Sequence, residues 1–133
     1  MLRSIGAVIA GFVVMAITVM IGTFRLSALL LSGATRSGGA LPPGRVVPPA
    51  YLTANLVLSF LAAVLGSWVT TLIAGSAPMT HAAALAALVF VMGLVSARQA
   101  GSAGHHAGQP TWYPWVITTI GIAGVLAGGL LRT

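Results

Sequence analysis

The side chains able to do chemistry in this 133-residue chain are few: three histidines, six arginines and a single asparagine deep inside an apolar run. Lysine, aspartate, glutamate and cysteine are absent. Without Asp or Glu there is no carboxylate to act as general acid or base, to hold a hard metal ion, or to carry a coupling proton through a membrane. Without Cys there is no disulfide, thiolate ligand or thiol nucleophile. A transition-metal site draws on three or four protein ligands. His105 and His106 are adjacent, but the only other histidine, His81, starts the helical run that Arg98 closes. That run rises about 25 Å at 1.5 Å per residue, so one chain does not bring His81 to the pair. No metal site is expected, and His105 and His106 read as polar loop residues.

His81 is a different matter. "APMTHAAAL" places it in the first turn of a helix, ahead of a run of alanines. A histidine beside small residues can ligate the central metal of a haem or (bacterio)chlorophyll, because alanine leaves room for the ring. The same position suits an interfacial polar residue with Ser76 or Thr80 as the cap. His81 is the one candidate cofactor ligand. No nucleophile–base pair accompanies it, so no enzyme activity is expected. Asn55 is the most polar side chain within a span, and an interhelical hydrogen bond of roughly 0.6–2 kcal/mol is its simplest use. Its alternative use is contact with an ion or solute. Thr18, Ser59, Thr70, Thr71, Thr118 and Thr119 can bond to their own helix backbones.

The elements that carry these residues are long apolar blocks. The chain is 58% hydrophobic and 5% charged, against about 25% charged residues in a soluble domain. Each block approaches the roughly 20 residues a helix needs to cross hydrocarbon. The reading is all-α, a four-helix transmembrane bundle in a single membrane domain, with spans at about 5–31, 51–74, 79–97 and 113–131 and an extramembrane loop over 32–49. The first block exceeds the usual core of a signal peptide and lacks a small-x-small cleavage site, so it reads as a retained span. Arg25 interrupts it, leaving "LSALLL" as a last helical turn or a surface segment, with Arg25 snorkelling to the headgroups. "GSAP" is a tight turn that sets the second and third helices side by side in opposite directions. An up-down order puts both chain ends on one side. Arginine counting leaves orientation open.

The boundaries carry anchors. Tyr51 follows a proline pair, Arg98 and Arg132 close helices, and "QPTWYPW" opens the last one. There Thr111 is the expected cap, Pro114 falls in the first turn, and Trp112, Tyr113 and Trp115 are expected at headgroup depth with their polar atoms reaching water. Such aromatics also make contact hot spots for a partner or a flat cofactor. Small residues recur at the spacing that lets helices approach closely in lipid: Gly6 with Ala10, Ala7 with Gly11, Ser59 with Ala63 and Ser67, Ala82 with Ala86, and Gly124 with Gly128.

The pieces "AGFVVM", "YLTANLVLSFLAAVLGSW" and "GQPTWYPW" resemble a loosely defined group of short bacterial four-span membrane proteins of unknown function. That resemblance implies a membrane location and no activity; the location expected is the bacterial inner (cytoplasmic) membrane. "TANLVLSFLAAVLG" also resembles the Asn-containing helix of small dimeric fluoride channels, but their glycine–arginine motif and the break in their third helix are missing. Small multidrug exporters share the length and span number, yet depend on a membrane glutamate that this chain lacks.

The expected function is that of a non-catalytic accessory subunit packing against a larger respiratory or photosynthetic membrane complex. The expected partners are other integral membrane subunits and membrane lipids. The charge of +6 suits anionic headgroups, while arginines scattered along the chain form no stripe for nucleic acid. A bound lipid, haem or (bacterio)chlorophyll at the contact is the cofactor reading. The alternative is a small oligomeric transporter or channel for an anion or neutral solute, with Asn55 on its path.

Overall fold

The computed structural model describes residues 2–30, 47–102 and 110–133, without the side chains of 99–102. Those residues form four helices: α1 (Leu2–Leu30), α2 (Pro49–Ala74), α3 (Pro78–Ser102) and α4 (Tyr113–Leu130). All four are long and apolar enough to cross a membrane, and no strand occurs among the described residues. The chain is an all-α bundle, and its four apolar helices make an integral membrane protein the coarse reading of the fold.

Two boundaries differ from the sequence reading, and of the two alternatives left open after Arg25 the helical one is found. α1 runs through Arg25 without a break, because no Gly or Pro interrupts "RLSALL" and the exposed guanidinium costs the helix nothing. Arg3 and Arg25 are then separated by about 33 Å along the axis, close to the roughly 30 Å of a hydrocarbon core. α3 continues past Arg98 to Ser102, so Arg98 stands a turn inside the helix rather than at its end. α2 begins at Pro49, two residues early: Pro48 has extended angles (φ −59°, ψ 138°) and its carbonyl accepts from the amides of Tyr51 and Leu52. A proline at the first helical position loses nothing, since that amide has no partner in any case. The rest of the first loop, with Arg36 and Arg45, and the pair His105–His106 lie outside the described residues.

The turn between α2 and α3 is as short as its sequence. Gly75 adopts φ 74° and its amide bonds to the carbonyl of Thr71, the left-handed closure that glycine permits without penalty. Ala77 follows at φ 47°.

Contacts run in opposite numerical order along α1 and α2: Arg3 with Ile73, Gly11 with Thr70, Gly22 with Leu58 and Thr23 with Asn55. Along α2 and α4 they run in the same order, from Asn55 with Tyr113 to Val64 with Gly128. Along α3 and α4 they oppose again, Ala82 meeting Gly129 and Gly93 meeting Thr118.

Glycine sets these distances. A methyl placed on Gly66 would stand 2.7 Å from the carbonyl oxygen of Gly11, and one on Gly124 would stand 2.7 Å from that of Phe60. Both are closer than carbon approaches oxygen without a shift, so these backbones touch directly, as helices packed in lipid require. Ala63, Ala82, Leu85, Val89 and Val125 form the middle of the bundle, with Val8, Phe12, Met15, Ala86 and Ile122 around them.

Candidate functional site

Two places gather polar side chains, a buried cluster at one end of the bundle and an open groove at the other. The first surrounds Asn55, which is 8% exposed. Its amide Nδ2 donates to the Tyr113 hydroxyl at 2.7 Å, and its Oδ1 accepts from the Thr23 hydroxyl at 3.1 Å. One side chain on α2 is thereby tied to α1 and α4. Beside it the hydroxyls of Ser27 and Tyr51 share a hydrogen bond of 3.3 Å. Val47, Leu52 and Tyr113 close the apolar side, with Leu26, Leu56 and Ile117 packed against them.

This arrangement corrects the expectation that the Tyr113 hydroxyl reaches water, and it shows where the Tyr51 ring turns. Tyr51 is 7% and Tyr113 3% exposed, so both rings turn into the bundle, and their hydroxyls bond to Ser27 and Asn55 there. Their neighbours supply the reason. A phenol that can reach a hydroxyl or amide inside satisfies its polar end there and buries the whole ring. Trp112 and Trp115 do face outward, 51% and 56% exposed, and Trp112 meets the edge of Tyr113 with ring centres 6.0 Å apart. Thr111 is not the cap. Trp112 holds that position, and no side chain bonds the free amides; the Tyr113 amide instead donates to the carbonyl of Pro110.

The second place surrounds His81. Its Nδ1 stands 3.0 Å from the carbonyl oxygen of Ala77, to which it donates. The ring is partly buried and forms one wall of an open groove of about 460 Å³ between the first turns of α1 and α3. Among the described residues no three metal-ligating side chains come together.

Of the small residues, Ala63 is fully buried against Gly124, and Gly128 lies against the Val64 carbonyl and the Ser67 side chain. Ser59 is buried and its hydroxyl returns to the carbonyl of Asn55. Ala10 is only partly covered. Gly6 departs from the packing reading, because it is exposed and nothing lies within 4 Å of the place where its Cβ would be. The alternative pair Ala7 and Gly11 faces α2, a third of a turn away, and α1 buries no other residue. Arg25, Arg98 and Arg132 are exposed.

Sequence reasoning missed Thr23, Ser27 and Val47. The first two carried a signal, since they sit four apart on α1, the spacing that puts both on one face. Val47 precedes the Pro48 cap and packs with Leu52 of the first turn, which is the staple that fixes how a chain enters a helix.

The chain matches no family model, no curated protein and no solved structure. Function therefore rests on the residues themselves.

Proposed function

We propose that this protein is a non-catalytic subunit of a larger membrane assembly, in a bacterial inner membrane, that docks through the outer faces of α1 and α3. The observation that carries this reading is the placement of small residues the chain leaves unused. Gly6 on α1 meets nothing, and Ala83 and Ala87, one turn apart on α3, are exposed. Lipid tails give no reward for putting alanine or glycine outward, whereas a neighbouring helix gains close backbone approach there. The interior supports the same reading. Asn55 is occupied by Thr23 and Tyr113, the hydroxyls of Ser59 and Thr70 bond to their own helix, and Leu85 and Val125 fill the centre. A solute path through one copy would have to break these contacts. In this reading the helices cross the membrane in alternation and both chain ends lie on one side.

The test is extraction from the native membrane in mild detergent, followed by native mass determination. Co-migration with a larger complex is the expected result, lost in an Ala83→Leu/Ala87→Leu variant that keeps its helical circular dichroism. A small assembly of this chain alone, unaffected by the variant, would overturn the reading and favour transport by an oligomer, to be followed by flux measurements on Asn55 variants.

A further inference from the structure

We infer that the groove between α1 and α3 is a binding site for one anionic phospholipid. Its phosphate lies at the Ser4, Thr80 and His81 end, and an acyl chain runs along Ile5, Val8, Ile9 and Ala84. α1 packs mainly on α2, and α3 mainly on α4, so the two meet more sparsely than other neighbouring helices. The gap left between their first turns holds about 460 Å³, within the range of roughly 300–1,000 Å³ usual for small-molecule sites.

Both walls have the same order of polarity. On α1, Ser4 is followed deeper along the helix by Ile5, Val8 and Ile9; on α3, Thr80 and His81 are followed by Ala84. A free phosphate gains nothing from the apolar floor, whereas a lipid has a headgroup and a tail in that order. The hydroxyls of Ser4 and Thr80 have no hydrogen-bond partner among the described residues, while Thr18, Thr70, Thr118 and Thr119 all bond to a carbonyl of their own helix. Donors at the mouth are thus uncommitted.

Charge completes the argument. Next to Ser4, Arg3 lays its guanidinium across the α2–α3 turn, where Nε donates to the carbonyl of Ile73 at 2.9 Å and the terminal nitrogen flanks Gly75. That turn leads directly into Thr80 and His81. Arg132 stands at the same end of the bundle, since nearby Gly129 packs on Met79 and Ala82. The chain holds six arginines and no carboxylate side chain, so no side chain at this end repels a phosphate. The groove is built within one chain and does not depend on the subunit reading.

The experiment is native mass spectrometry of the full chain, purified alone in mild detergent and given phosphatidylglycerol or phosphatidylcholine with identical tails. One phosphatidylglycerol per chain is expected to be retained, preferred about fivefold, the factor one nearby cation supplies. Arg3→Gln should lower the preference severalfold, and an unchanged preference in that variant would overturn the inference. Ser4→Ala/Thr80→Ala, which breaks no hydrogen bond among the described residues, should weaken retention of phosphatidylglycerol severalfold. Ala84→Phe should fill the groove and lower retention of both lipids. Equal retention of the two lipids by the wild-type chain would overturn the inference, as would unchanged phosphatidylglycerol retention in the Ser4/Thr80 variant. So would displacement of the lipid by inorganic phosphate. A visible absorption band that disappears in His81→Ala would instead assign the groove to a tetrapyrrole.

Discussion

Asn55 shows how much one polar side chain can organise in a bundle without acidic side chains. Its amide has a donor end and an acceptor end, and α4 takes the first while α1 takes the second. Interhelical hydrogen bonds in membranes average about 0.6 kcal/mol and reach about 1.7, so the two together are worth about 1–3 kcal/mol. Asn55→Ala should therefore destabilise the bundle by that amount in a reversible detergent unfolding titration, and Tyr113→Phe by roughly a third to a half of it. A double-mutant cycle separates the bond from general loss of packing. Coupling between Asn55→Ala and Tyr113→Phe should be near the value of one such bond, about 0.6–1.7 kcal/mol, whereas Asn55→Ala and Trp115→Phe should be additive because Trp115 faces outward. Additivity in the first pair would mean that the 2.7 Å contact contributes nothing.

At the level of elements, glycine decides where helices touch. Gly66 lies under the Gly11 carbonyl and Gly128 beside the Ser67 side chain and the Val64 carbonyl, while Gly6 has open space. Overpacking a tight interior contact costs about 1–3 kcal/mol, and alanine in a helix is otherwise favoured over glycine by up to about 1 kcal/mol. Gly66→Ala and Gly128→Ala should lower stability, and Gly6→Ala should leave it unchanged or raise it slightly; all three read out in the same unfolding titration. A loss at Gly6 equal to that at Gly66 would show that the isolated chain uses its outer face as well. The contrast also marks what sequence reading can reach. Span number follows from block length, and the small-residue spacing announces close helix contact. The spacing does not distinguish the Gly6–Ala10 pair from the Ala7–Gly11 pair, because both recur every four residues and only the partner helix selects a face. The directions of Tyr51 and Tyr113 are out of reach for the same reason: an aromatic beside proline at a span boundary predicts depth, but its direction depends on Ser27 and Asn55, which are distant in sequence. Thr23 and Ser27 were legible only as a polar pair on one face of α1, with nothing local to name Asn55 and Tyr51 as their counterparts.

For the whole molecule, the decisive feature is which ends come together. Arg3 reaches the carbonyl of Ile73, and Gly129 packs on Ala82, so the start of α1, the end of α2, the start of α3 and the end of α4 share one end. Thr23, Asn55 and Tyr113 belong to the other. If the helices cross in alternation, Arg3 and Arg132 flank one side. Arg25 and Arg98 then fall on the opposite side, and in the sequence Arg36 and Arg45 belong to the connection between α1 and α2. Arginine near span ends is retained on the cytoplasmic side; the sequence count is close to a tie, and an unbroken α1 adds Arg25 to the Asn55 end, so a cytoplasmic Asn55 end is the orientation put to the test. The absence of native cysteine makes this directly measurable. Single Ser76→Cys, Thr111→Cys and Thr133→Cys variants place a thiol at exposed positions. In intact bacterial cells an impermeant maleimide should label Ser76→Cys and Thr133→Cys and spare Thr111→Cys until the membrane is opened. The mirror-image result would reverse the orientation but keep the architecture. Labelling of Ser76→Cys together with Thr111→Cys would break it, because those two positions stand at opposite ends of α3, the one helix between them.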